Sequence, residues 1–294
     1  MGFTLALVQM VVRNGDKRGN IDHAVNLIAR AAAQGARLAL LPEAVDLGWT
    51  DPSSKTEAES IPDGTPCRRL AEVASRCGIH VCAGLTERRG GQVFNSAVLL
   101  DADGKVRLVH RKINELPFAQ SLYDCGNKLG TVRTELGRIG LMICADAMAE
   151  DLVLGRSLGH MRAEIILSPC SWAVKKEYGN SCSYGDNWHD VYSSVAVEFG
   201  TWIAAVSNVG RIGSGPWAGR WCIGTSMAVG PTGEEVARAP FGVDAETILY
   251  VDVEPHIHRT SGPRWDRRWH AEEQVSECDQ TGEAEQAGHG NNGS

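Results

Sequence analysis

Ile139-Gly140-Leu141-Met142-Ile143-Cys144-Ala145-Asp146 is an apolar run that ends, without a break, in a thiol and a carboxylate. A short continuous apolar run reads as a buried strand rather than a helix, which needs more residues to bury a face. The segment therefore predicts a strand over 139–143 that delivers Cys144 to its end. Similar buried strands are expected on either side, at 165–167 and 202–206, with helical apolar spacing near 151–158 and 188–199 between them. Nearer the start, 5–8 and 38–41 read as strands around a helical stretch at 21–33. Residues 67–77 read as a helix stopped by Gly78, with a strand at 79–84 after it. Asp101-Ala102-Asp103-Gly104 is a strong hairpin signal between strands at 96–100 and 106–110. A last strand, turn and strand are expected at 227–229, 231–234 and 247–253. Helices alternate with strands but hairpins intrude, so the expected fold is α/β with a mixed sheet.

Two other strand ends carry reactive groups. Leu40-Leu41-Pro42-Glu43 delivers a carboxylate immediately after a proline, where apolar surroundings can raise its pKa toward neutrality for base chemistry. Val109-His110-Arg111-Lys112 ends a hairpin strand in potential cations, and Lys112 could neutralise a developing oxyanion. Taken singly, Glu43 reads as a solvated loop residue, Lys112 as protection for a sheet edge, and Cys144 as a small buried hydrophobe. Together they supply what thiol-based acyl transfer needs: a nucleophile, a base to take its proton, and positive charge for the oxygen of the tetrahedral adduct.

The chain at this point resembles the carbon–nitrogen hydrolase, or nitrilase, superfamily with its Glu-Lys-Cys catalytic set. The resemblance rests on Leu41-Pro42-Glu43 followed by Gly48-Trp49, on His110-Arg111-Lys112-Ile113, on Gly140-Leu141-Met142-Ile143-Cys144-Ala145-Asp146, and on Val206-Ser207-Asn208-Val209-Gly210, in that order. It implies a four-layer α-β-β-α sandwich with mixed sheets, pairing of copies through helical faces, and no cofactor or metal. By the same resemblance Glu43 is the general base, Cys144 the nucleophile that forms a thioester, and Lys112 the oxyanion partner together with the backbone N–H of Ala145. Many relatives carry a further glutamate beyond the lysine. Here either Glu115 supplies that carboxylate or Gln120 stands in its place; the alternative for Glu115 is an exposed residue paired with Arg111 or Lys128. Beyond the cysteine the common Phe-Pro-Glu is replaced by Ala147-Met148-Ala149-Glu150, which bears on pocket shape. Trp172, in Ser168-Pro169-Cys170-Ser171-Trp172 after a predicted strand, belongs either to the core or to a substrate-pocket wall, as do Tyr178, Tyr184, Trp188 and Tyr192.

Composition narrows the classes further. The 294 residues, 43% of them hydrophobic, suffice for a sizeable core. With 29 Lys and Arg against 36 Asp and Glu, the net charge of −7 argues against nucleic acid as a partner. Six of the acids (Glu272, Glu273, Glu277, Asp279, Glu283, Glu285) fall in 270–294, which has no Lys or Arg, leaving 30 acids against 29 bases upstream. The expected division is a catalytic domain over 1–262 and an extension over 263–294, an acidic and disordered tail from about 270. Nine cysteines without a metal-type spacing point to reduced thiols, and with no membrane-length apolar run or secretory leader the expected location is the cytoplasm. Gly210-Arg211-Ile212-Gly213-Ser214-Gly215 lacks phosphate-loop spacing and reads as a plain loop or lid; His256-Ile257-His258 has no companion ligands.

The leading reading is a hydrolase cleaving a small amide or carbamoyl amide through a Cys thioester, as a homodimer or larger homo-oligomer, with a nitrile as the alternative substrate. Competing readings are a hydrolase pairing Cys144 with His189-Asp190, and a binding protein that keeps the fold without turnover.

Overall fold

A computed structural model describes residues 2–175 and 184–256. The extension at 263–294, Tyr178 and His258 lie outside the described residues. In chain order the strands are β1 (Phe3–Gln9), β2 (Leu38–Leu40), β3 (His80–Arg89), β4 (Gln92–Leu100), β5 (Val106–Arg111), β6 (Thr131–Thr134), β7 (Gly137–Leu141), β8 (Ile165–Cys170), β9 (Ala173–Val174), β10 (Trp202–Ser207), β11 (Val209–Arg211), β12 (Trp221–Ile223), β13 (Met227–Val229), β14 (Glu235–Arg238) and β15 (Thr247–Val253). The helices are α1 (Lys17–Ala33), α2 (Ser54–Glu57), α3 (Thr65–Cys77), α4 (Val153–His160) and α5 (Tyr184–Phe199).

Two six-stranded mixed sheets form the centre, in the orders β15-β1-β2-β3-β4-β5 and β14-β13-β10-β8-β7-β6. The period-two geometry of β1 explains the layering. Leu5 and Leu7 point toward the second sheet and join Ile139, Leu141, Ile165 and Leu167. Ala6, Val8 and Met10 point the other way and join Ile21, Leu27, Leu70 and Val73 of α1 and α3. On the far side of the second sheet, α5 buries Trp188, Tyr192, Val195 and Phe199. The result is helices, sheet, sheet, helices: the expected four-layer sandwich.

Local chemistry explains several boundaries. Asp16 caps α1 by accepting the Gly19 N–H at 3.0 Å, and Gly78 ends α3 with a left-handed φ of 64°. The Asp101–Gly104 turn joins β4 and β5 as its sequence predicts. Two readings need correction. The 231–234 turn leads into an unexpected strand, β14, whereas β15 leaves that sheet and pairs antiparallel with β1, Phe3 opposite Val253. The glycine-rich stretch after Asn208 begins as β11, which pairs with β12 in a small three-stranded sheet with β9. None of the described helices is long and apolar enough to cross a membrane.

Candidate active site

Three chain segments meet where strands of the two sheets end. The segment after β2 is stitched to β3 on one side, with Gly84 N–H donating to the Pro42 carbonyl at 2.9 Å and Val45 N–H to the Gly84 carbonyl at 2.9 Å. On its other side the Glu43 N–H donates across to the Cys170 carbonyl of β8 at 3.1 Å. This fit requires a glycine in β3: a Cβ on Gly84 would sit 2.5 Å from the Glu43 Cα. Lys112 follows β5 directly, its N–H donating to the Asn95 carbonyl of β4 at 2.9 Å.

Cys144 opens a single 3-10 turn, Cys144–Met148, three residues past the end of β7 and has φ +45°, a conformation uncommon for a residue with a side chain. Asp146 holds this elbow. One carboxylate oxygen accepts the Ile143 N–H at 2.9 Å and contacts His110 Nε2 at 2.7 Å; the other accepts the N–H groups of Ile113 at 3.0 Å and Asn114 at 2.7 Å. The Asn114 side chain donates to the Ala145 carbonyl at 2.7 Å. A single carboxylate thus ties the cysteine turn to the loop that follows Lys112. Burial first raises the Asp146 pKa, but His110 and these N–H donors outweigh it and hold the carboxyl below its usual range.

Glu43 (1% exposed), Lys112 (1%), Glu115 (4%) and Cys144 (6%) are all buried. Lys112 Nζ donates to Glu43 Oε1 at 2.8 Å and lies 3.4 Å from Glu115 Oε1. The Asn95 amide donates to the same Glu43 oxygen at 2.6 Å and reaches Glu115 at 3.5 Å. Glu43 Oε2 has no hydrogen-bond partner among the described residues. Burial would strip the proton from Lys112, yet Glu43, Glu115 and the Cys144 thiol together hold its pKa well above the ordinary lysine value. Glu115 is pushed up, chiefly by burial and further by Glu43, against the pull of Lys112. The Cys144 thiol is pushed up by the Cys170 thiol beside it, by burial and by Glu43, while Lys112 draws it down. A protonated lysine, a carboxylate with a free oxygen and a protonated thiol can exchange one proton among themselves without solvent.

The structure therefore brings Glu43, Lys112, Glu115, Cys144 and Ala145 into one constellation. Between the two candidates beyond the lysine, Glu115 is inside, while Gln120 is exposed and donates to the Glu115 carbonyl at 3.1 Å. Arg111 pairs with Glu87 rather than Glu115. Trp172 is 1% exposed and stacks on Trp188 with centroids 4.9 Å apart, with Tyr192 beyond at 6.5 Å; its indole N–H has no partner among the described residues. His189 lies beside the buried stripe of α5, with Nδ1 3.7 Å from the exposed Asp190. The cation and carboxylate acting on the Cys144 thiol are Lys112 and Glu43. Sequence reasoning missed Asn95 and the anchoring pair Asp146 and His110. Their signals were a polar pair, Asn95-Ser96, between the apolar residues of β4, and a carboxylate two residues beyond the thiol.

The carbon-nitrogen hydrolase family model matches residues 4–260, and the chain belongs to that family. It is similar to the chloroplastic omega-amidase of Arabidopsis thaliana, 29% identical over 278 residues that cover 89% of this chain and 71% of the relative. Its fold matches the crystal structure of a carbon-nitrogen hydrolase from Helicobacter pylori G27, with a TM-score of 0.76 and 23% identity over 86% of this chain and 90% of that one. It also matches a mutant of the amidase from Nesterenkonia sp. AN1 that carries the acetamide moiety of fluoroacetamide at its active site cysteine, with a TM-score of 0.74 and 23% identity over 91% and 97%.

Proposed function

We propose that the protein hydrolyses a small amide or carbamoyl amide through a thioester on Cys144. The observation that carries this reading is the Glu43–Lys112 pair that acts on the Cys144 thiol, in which Lys112 engages one carboxylate oxygen and leaves Oε2 without a partner among the described residues. Glu43 takes the thiol proton as sulfur attacks the acyl carbon. The resulting oxyanion is held by the Lys112 ammonium and the Ala145 N–H. Collapse expels ammonia or an amine, which takes the proton back from Glu43. Water, deprotonated by the same carboxylate, then cleaves the thioester. A raised thiol pKa suits this order, because deprotonation then accompanies attack. Glu115 balances the lysine's charge and keeps it protonated throughout. Trp172, next to the Cys170 strand end, is assigned to the wall that backs the acyl group.

The amide reading is favoured by the omega-amidase relative; the nitrile remains the second substrate class, since the same thiolate attacks a nitrile carbon. Intact-mass analysis of acid-quenched wild-type protein with a panel of amides, ureides and nitriles, alongside ammonia release, tests this. An acyl adduct on Cys144 with an amide or ureide is expected. Ammonia from nitriles alone transfers the assignment to a nitrilase, and no adduct with any compound removes it.

We also propose that residues 1–262 are the catalytic unit and that it works as a homodimer. Among the described residues, the exposed large apolar side chains include Met148, Val153, Met161 and Val197, all on or beside α4 and α5. A shared helical face of this kind buries itself well against a second copy.

A further inference from the structure

Asn95 enters no step of the reaction above, yet its carbonyl and its side chain together reach Lys112, Glu43 and Glu115. It lies in β4 opposite Thr86 of β3. Its carbonyl accepts the Lys112 N–H, while strand alternation turns Ser96 to the other face, where the hydroxyl donates to Glu87 at 2.7 Å. Asn95 is 1% exposed, and its amide nitrogen faces two carboxylates, Glu43 Oε1 at 2.6 Å and Glu115 Oε2 at 3.5 Å. Those acceptors fix which end of the amide donates. The Lys112 ammonium and the Asn95 amide therefore clamp both buried carboxylates, and both donors converge on Glu43 Oε1.

We propose that Asn95 is the positioning residue of the general base: by engaging Oε1 it directs thiol deprotonation to Oε2 and keeps the Glu43–Glu115 pair free of a proton. The role rests on Glu43 being the base. Two buried carboxylates that share one ammonium tend to take up a proton, and Glu115 is already pushed up, chiefly by burial and further by Glu43. A hydrogen bond donated to a carboxylate opposes this, because it is strongest while the acceptor is charged. The other titratable groups around Glu43 are Lys112, Tyr123, Cys144 and Cys222 of β12. Burial pushes Tyr123 and Cys222 up, and the Cys144 thiol and Lys112 are raised too. All four keep their protons in acid, so the two carboxylates alone change charge there.

Full-length protein is treated with iodoacetamide across a range of pH, and modification of Cys144 is followed by peptide mass. The Cys144 sulfur displaces iodide while Glu43 takes the thiol proton, so the rate reads the protonation of the base before any substrate is identified. In the wild type the rate should fall on the acid side as the carboxylate pair takes up a proton, and Glu43→Gln should lack that fall. Asn95→Leu, close in size but without a donor, should move the fall upward by about one pH unit and rejoin the wild type at higher pH. If thermal melts show Asn95→Leu to be poorly folded, Asn95→Ala carries the same comparison. A rate lowered equally at every pH, or a fall that stays where the wild type has it, overturns the role of Asn95 while Glu43→Gln still marks Glu43 as the base. A Glu43→Gln profile identical to that of the wild type removes the base assignment, and this inference with it.

Discussion

Lys112 is buried between two carboxylates, so its removal has two consequences that must be separated. Cys144→Ala, Glu43→Gln and Lys112→Ala should each lower kcat/KM on an identified substrate by several orders of magnitude, because groups acting as a unit do not fail additively. Lys112→Ala should in addition destabilise the protein by about 3–5 kcal/mol, since it strands Glu43 and Glu115 without their cation. Circular dichroism and thermal melts distinguish the effects, and near-normal turnover in any of the three would sink the assignment. His189→Ala should retain most activity. Glu115→Gln should reduce kcat much more than it raises KM; both constants staying within about threefold would remove Glu115 from the catalytic set. Glu43, Lys112 and Cys144 were legible before the structure only as a set: each alone reads as an ordinary residue at a strand end, but together they supply a base, a cation and a thiol in the order of the family's motifs. Asn95 was not, because one amide in a strand looks like ordinary alternation until the opposing carboxylates are placed in space. Asp46 supplies a pH prediction. It is fully buried and accepts the Thr86 N–H at 3.0 Å, and burial raises its pKa from 3.8 to about 6. The folded state therefore favours the protonated form. That stabilisation is complete below pH 3.8 and disappears as pH rises through about 6, a change of about 3 kcal/mol. The difference in melting temperature between wild type and Asp46→Asn, followed from pH 4 to 7, should shift against the wild type; a flat difference would refute the raised pKa.

At the scale of elements, the site depends on how closely strands can approach. The Gly84 position in β3 lies flush against the Glu43 backbone, with contacts of 2.5 Å to Glu43 Cα and 2.7 Å to Ala44 N awaiting any Cβ. Gly84→Ala should force the Glu43 segment outward, costing about 1–3 kcal/mol as overpacking usually does, and should reduce kcat together with the melting temperature. A variant as active and as stable as the wild type would show that the segment gives way freely. Long elements were readable: α1 and α3 have clear helical spacing and chemically defined ends, and the 101–104 turn declared its hairpin. The two-residue β9 and the three-residue β11 and β12 are too short for any period to register, and their pairing is decided by tertiary contacts.

For the whole molecule, full-length protein should behave as a dimer in light scattering, and deletion of 270–294 should leave it dimeric, because that segment has little apolar surface to bury. Val197→Asp combined with Val153→Asp should give monomers; a double variant that stays dimeric would move the interface elsewhere. The sandwich itself followed from the motif set, but the return of β15 to β1 had no local cue, since the partners lie at opposite ends of the described chain. That return has a consequence for biosynthesis. The second sheet is nested, in chain order, between β5 and β15 of the first, so the two sheets cannot mature one after the other as independent units. On the ribosome, Phe3-Thr4-Leu5-Ala6-Leu7-Val8-Gln9 offers an open, apolar edge until nearly all the rest has been made, and at 5–20 residues per second that wait runs to tens of seconds. A nascent chain stalled short of residue 247 should therefore be a client for chaperones that cover strand edges, whereas release of the finished fold should depend on this final pairing.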